Sequence, residues 1–150
     1  MSKIEIVTAT LAELSPLAAL YQQYRIFYKK EPAPQQEENF LRERIENEES
    51  VIFIAKVDGD YAGFTQLYPV FSSVRMKRLW LLNDLYVNEN YRKLGIANML
   101  IEKSKELAKE TEAAGLMLQT AVDNTKAQSV YDKTGFERDD DFYTYYWFNK

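Results

Sequence analysis

The spacing of apolar positions divides the chain into short strands and helices. Ile4, Ile6 and Ala9, offset by polar residues, predict a strand from Lys3 to Ala9. Leu14, Leu17, Ala18, Tyr21, Tyr24 and Tyr28 recur three or four apart, so they share one face of a helix. Pro16 fits its first turn, where a missing N–H costs nothing. Glu31-Pro32-Ala33-Pro34 breaks the pattern, and a second, acidic helix is expected from Gln35 to Asn47 with Leu41 and Ile45 turned inward. Val51 to Val57 is an apolar run of strand length. Asp58-Gly59 then signals a tight hairpin, whose central residues need positive φ. Tyr61 to Tyr68 is the returning strand, and Pro69 is expected to end it.

Arg78 to Val87 is almost wholly apolar, as a central strand would be. Polar Asn88-Glu89-Asn90 separates it from a helix at Gly95 to Glu112, with Ala97, Leu100, Ile101, Ser104, Leu107 and Ala108 on one face. Leu116 to Thr120 reads as a strand. Asn124 to Thr134 reads as a short helix with Ala127, Val130 and Tyr131 on one face and Gly135 as its left-handed terminator. Phe142 to Phe148 reads as a closing aromatic strand, apolar on both faces and therefore buried on both. Its cover is either the core of the same chain or a second subunit. The order of elements predicts a single α/β domain over residues 1–150, with a mixed sheet of six or seven strands and about four helices.

Composition narrows the chemistry. The 150 residues include no cysteine and no histidine, which excludes a disulfide framework, a thiolate nucleophile, a Ser-His-Asp triad and Cys/His metal sites. The composition leaves an all-carboxylate magnesium or calcium site open, but no EF-hand spacing occurs and no metal is expected. Acid–base work falls to Asp, Glu, Tyr, Lys or water. A net charge of −4 gives no overall attraction to nucleic acid. No apolar run approaches a membrane span of about 18 residues, and Met1 to Thr10 lacks the long apolar stretch of a signal peptide. A cytoplasmic address is therefore expected.

The turn Tyr91-Arg92-Lys93-Leu94-Gly95-Ile96-Ala97 suits an anion. It brings two cations and two small residues to the start of a helix, where unpaired N–H groups carry partial positive charge. An ordinary strand-to-helix turn with solvated basic residues has the same features. The surrounding sequence distinguishes them. Arg92-x-x-Gly95-x-Ala97, after a strand ending Leu85-x-Val87, resembles motif A of the GNAT superfamily of acyl-CoA-dependent N-acetyltransferases. Asn124-x-x-Ala127-x-x-x-Tyr131-x-Lys133-x-Gly135-Phe136 resembles its second signature, and the element order from Lys3 to Phe148 resembles the whole domain. Ala97 departs from the more frequent glycine.

This resemblance implies specific roles. The N–H groups of Arg92, Lys93, Leu94, Gly95, Ile96 and Ala97 would wrap the coenzyme A pyrophosphate. Leu85, Tyr86 and Val87 would pair with the pantetheine arm as a strand pairs with an open edge. A bulge would splay their strand from Leu116–Thr120. Asn124 would contact that arm or position the local backbone. Acetyl-CoA would be the cosubstrate, Tyr131 the general acid for the leaving thiolate, and an N–H near Leu85 the support for the oxyanion.

Asp84 is the candidate base. Strict alternation would put it on one face with Leu82 and Tyr86, opposite Asn83, Leu85 and Val87. Its alternative role is an acid hydrogen-bonded at a bulge.

The acceptor expected is a small-molecule or peptide primary amine, basic in character. Seven acids and two bases lie between Glu31 and Glu49, a net of −5, leaving +1 for the rest. In domains resembling this one that segment borders the acceptor entrance. A solvated helix face is the other reading. Arg75, Lys77 and Arg78 read as a solvated hairpin. The aromatic tail points to a homodimer. A non-catalytic acyl-CoA sensor on the same fold is the second functional class, to which Tyr131 beside an intact Arg92–Ala97 turn is opposed.

Overall fold

The computed structural model describes residues 2–150. The chain forms two compact units, one up to Gln119 and one from Thr120 to Lys150. In the first, β1 (Ile4–Thr8) leads through a 3-10 turn to α1 (Leu14–Phe27) and α2 (Pro34–Glu46). Then come β2 (Val51–Val57), β3 (Asp60–Ser72), β4 (Lys77–Val87), α3 (Ile96–Glu110) and β5 (Gly115–Met117). The sheet order is β1-β2-β3-β4-β5, antiparallel up to β4 and parallel between β4 and β5. This is the mixed α/β fold expected, with five strands rather than six or seven. No helix of the described residues is long and apolar enough to cross a membrane.

Local chemistry fixes the element ends. Thr10 and Glu13 form a reciprocal capping box ahead of α1, satisfying two backbone donors. Asp58 and Gly59 both have positive φ, as the two-residue turn between β2 and β3 requires. Pro69 does not end β3, which runs on to Ser72 opposite β4. Pairing with β2 stops at Leu67, so Pro69 lies where β3 has a neighbour on one side only.

Each face of the sheet has its own cover. Leu14, Leu17 and Leu20 of α1 and Leu41 of α2 form a core with Ile52, Ile54 and Phe64. On the other face α3 buries Ile96, Leu100, Ile101 and Ala108. Trp80 of β4 donates to the Thr111 hydroxyl just beyond α3 at 2.9 Å. Each fully buried leucine or isoleucine contributes about 2 kcal/mol by leaving water.

The acidic helix differs from a plain charged surface. Glu37, only 3% exposed, accepts from Arg25, from Gln22 Nε2 at 2.9 Å and from the Ala33 N–H at 3.3 Å. Glu38 pairs with Arg42, and Arg44 bridges Glu43 and Glu49. Much of the negative charge is therefore matched within or beside α2, and Glu37 ties α2 to α1.

In the second unit, α4 (Thr125–Lys133) is the one regular element among the described residues. The expected strand from Phe142 to Phe148 is not formed. Its aromatics are exposed rather than buried. A strand needs a hydrogen-bonded neighbour, and α4 offers none.

Burial would raise the Glu37 pKa, but Arg25, Gln22 and the Ala33 N–H outweigh it and hold the carboxyl below its ordinary range. A depressed acid stabilises the fold above its unfolded pKa and loses that contribution as pH falls through the folded value. Glu37→Gln is expected to cost about 1–3 kcal/mol at pH 7, measured by urea denaturation. It should also flatten the loss of stability below pH ~4.5. An unchanged urea midpoint at both pH values would show the pair to be inconsequential.

Candidate active site

The site is built where β4 parts from its neighbours. Facing β3, Asp84 pairs with Gln66 but Leu82 pairs with Leu67, so Asn83 is one residue too many. This bulge corrects the alternation expected from the sequence. Leu82, in phase with Trp80, faces α3. Asp84 and Tyr86 face α1, where Tyr24 contacts both Phe64 and Tyr86 ring to ring.

On its other side, β4 pairs with β5 only from Leu79 to Leu81. Beyond that the two strands share no ladder. The Asn88 N–H bonds Ala62 O at 2.8 Å, which turns the Asn88 backbone toward β3. By alternation the backbone groups of Leu85 and Val87 point away from β3, to the open edge. Arg92 Nε holds Val87 O at 3.1 Å. Gly63 keeps β3 close behind this segment, since a Cβ there would lie 2.6 Å from Tyr86 O.

The next seven residues form an exposed basic turn. Asn88 Oδ1 accepts from the Asn90 N–H and starts a 3-10 turn at Glu89–Tyr91. Lys93 has φ 66 and Gly95 φ 81, and α3 begins at Ile96 without a side-chain cap. Left-handed residues ahead of an uncapped helix make a concave array of N–H groups, a nest for an anion. Space around Gly95 is open, with no atom within 4 Å of a Cβ placed there. Arg92, Lys93 and Leu94 are exposed, while the Ile96 side chain is buried beneath the turn. The donors present thus suit a pyrophosphate. The open β4 edge suits an amide-bearing chain.

Asp84 lies on the α1 side at 5% exposure. Gln66 Nε2 donates to Oδ2 at 2.9 Å and Asn83 Nδ2 to Oδ1 at 3.1 Å. Ser50 donates to Gln66 Oε1 at 2.9 Å, which fixes the amide end that faces the acid. Burial lifts the Asp84 carboxyl above its ordinary range, against hydrogen bonds from Gln66, Tyr24 and Asn83 that pull it down. The Tyr21 and Tyr68 phenols are raised as well, first by burial and then by the charge of Asp84. The carboxylate is therefore held by neutral donors.

Two site residues read from the sequence belong to the second unit. Asn124 caps α4, its Oδ1 accepting from the Ala127 N–H at 3.1 Å. Tyr131 lies on α4 with its ring against Phe136, edge to face at 5.7 Å. The first unit brings together Asp84, Leu85, Tyr86, Val87 and the Arg92–Ala97 turn. Sequence reasoning missed Gln66, Tyr24 and Gln23. Gln66 was detectable as a polar residue inside an apolar strand. Gln23, which accepts from Asn88 Nδ2 at 2.7 Å and Tyr86 OH at 3.3 Å, clips α1 to the end of β4. It has no local signal.

The chain is similar to known proteins. The model of the acetyltransferase (GNAT) family matches residues 17–136. A Bacillus subtilis (strain 168) protein named uncharacterized N-acetyltransferase YhfO is 44% identical over 142 residues, 95% of each chain. The crystal structure of a probable acetyltransferase is 42% identical with a TM-score of 0.92, covering 97% of this chain and 98% of that one. At the level of fold alone, an aminoglycoside N-acetyltransferase solved with CoA matches with a TM-score of 0.82 at 20% identity, covering 97% and 95% of the two chains. With most of its length matched by the family model and by a relative of this identity, the chain belongs to the GNAT acetyltransferase family and is an acyltransferase.

Proposed function

We propose that this chain, as one domain, transfers the acetyl group of acetyl-CoA to a primary, basic amine by direct attack in a ternary complex. The observation that carries the reading is the open β4 edge at Leu85–Val87 running into the nest at Arg92–Ala97. Acetyl-CoA supplies the activated thioester. The turn and the first N–H groups of α3 hold its pyrophosphate, and the Leu85 and Val87 edge binds the amide-bearing arm. Asn124 sets the backbone of α4.

Residues of the chain handle the protons. Asp84, through ordered water, takes a proton from the ammonium so that the amine can attack. The Leu85 N–H supports the carbonyl oxygen as negative charge develops there. As the new C–N bond forms and the C–S bond breaks, Tyr131 donates its phenolic proton to the leaving thiolate. A buried carboxylate held by neutral donors favours a cationic acceptor over a neutral one. The acids of α2 do less toward this than their number suggests, because most are paired. The exposed aromatic tail supports a homodimer, and a cytoplasmic address remains part of the reading.

Three outcomes test these assignments. Gly95→Val places an L side chain at φ 81 and fills the space before the nest. Calorimetry should show at least a tenfold loss of acetyl-CoA affinity in a folded protein; unchanged affinity removes the nest from the account.

Tyr131→Phe should lower kcat by about 10²–10⁴-fold with acetyl-CoA affinity retained. Wild-type turnover would mean that another group protonates the thiolate.

A base must be deprotonated to act, so kcat/KM for a polyamine should rise with pH through the Asp84 pKa. Since burial raises that pKa, the limb should lie above pH ~4. Asp84→Asn should abolish it, and persistence of the same limb would exclude Asp84 as the base.

A further inference from the structure

Gln66 is an amide sealed into the apolar middle of β3, with no exposed surface. Apolar packing has no use for such a side chain, and every buried polar atom on it needs a partner. The register sets Gln66 directly across from Asp84, at the pair that adjoins the Asn83 bulge. Both ends of the amide are engaged. Nε2 donates to Asp84 Oδ2 at 2.9 Å, and Oε1 accepts from the Ser50 hydroxyl at 2.9 Å. The neighbouring Thr65 hydroxyl donates to Asp84 O at 2.7 Å, so β3 holds the backbone of the acid as well as its side chain.

The direction of the amide matters to the acid. With Nε2 toward Asp84, a donor meets a carboxylate oxygen, which favours the ionised form. Turned the other way, Oε1 would meet that oxygen, and the acid could bond to it only by carrying a proton. The Ser50 hydroxyl completes the first arrangement and polarises the amide toward stronger donation. The two carboxylate oxygens are also treated differently. Oδ2 meets the sealed amide of Gln66, whereas Oδ1 meets the Nδ2 of exposed Asn83 at 3.1 Å. The inner oxygen is fixed, and the outer one lies on the accessible side.

We propose that Gln66, set by Ser50, is a positioning residue for Asp84: it clamps the inner carboxylate oxygen and turns the outer one to the proton of the acceptor amine. The inference rests on the reading of Asp84 as base and names the residue that holds it for that work. Other groups face the acid too. Tyr21 and Tyr24 do so from α1, and Tyr68 from β3. Arg25 and Glu37 act on the Tyr21 phenol, and Arg44 on those of Tyr21 and Tyr68. Asp84 itself is shifted by burial and by neutral donors, so loss of the Gln66 donor has no nearby cation to mask it.

Gln66→Met keeps a long unbranched side chain and removes the donor. The midpoint of Asp84, followed by carbon NMR of a carboxyl signal that Asp84→Asn deletes, should rise by about one pH unit or more. The rising limb of kcat/KM for a polyamine should move up with it, so that activity on the limb falls about tenfold at a given pH and recovers toward the plateau. Structural damage alone would lower the plateau without moving the limb. In the unmodified chain, the Gln66 side-chain N–H signals should titrate together with the Asp84 carboxyl.

A Gln66 amide that ignores the titration of Asp84, with an Asp84 midpoint unmoved in Gln66→Met, overturns the inference. The base reading then still stands if Asp84→Asn abolishes the limb. An Asp84 midpoint that moves while the limb stays overturns the base reading, and with it the catalytic use of the clamp. Because the amide titration uses the unmodified chain, a Gln66→Met protein that fails to fold does not shield the inference.

Discussion

One surplus residue in β4 sets the geometry on which the site depends. Opposite a regular β3, Asn83 has no partner of its own, and the pleat changes phase there. Without the bulge, Asp84 and Tyr86 would share a face with Trp80 and Leu82 against α3, a mainly apolar layer whose Trp80 N–H and Ser104 hydroxyl already donate to Thr111 and Leu100 O. With it they face α1 and α2, where Tyr24 and Gln66 await them. The β4–β5 ladder stops at Leu81, two residues before this point, and the freed edge runs to Val87. Placement of the acid and opening of the edge are thus adjacent events on one strand. Inserting or removing a residue near Asn83 would disturb both at once.

The α1 side of the sheet is consequently unusual. It combines an aliphatic core with two buried acids, Glu37 and Asp84, treated in opposite ways. Glu37 meets a guanidinium, and its charge is fixed as part of the α1–α2 junction. Asp84 meets amides and a phenol, and its charge is only partly compensated. A buried charge without a counterion costs stability, and folds retain one where it does work. The contrast identifies Asp84, rather than the acid-rich helix, as the group on this side suited to a proton or a cation.

Legibility followed the range of the interactions involved. Hairpin turn, helix faces and the anion turn were readable because a few neighbouring residues dictate them: Asp58-Gly59, the Leu100–Ala108 spacing, Gly95 with its basic flanks. The extension of β3 past Pro69 was not, because it depends on where β2 stops. Nor was the face of Asp84, which depends on a register set by pairing with β3. Glu37 was indistinguishable in sequence from Glu38 beside it. Only the fold brings Arg25 and Gln22 to the first and leaves the second to a solvated Arg42. The tail misled for a related reason. Its residues have a strand-like pattern and bulk, but pattern cannot say whether a hydrogen-bonded neighbour is present.

The sheet leaves one backbone edge free beside the anion turn, that of β4 beyond Leu81. The edge on β4 is short and bounded. Arg92 occupies Val87 O at one end, and β5 closes the other at Leu81. Little more than Leu85 and Val87 remains, enough for a ligand with one or two amides and too little for a stable strand.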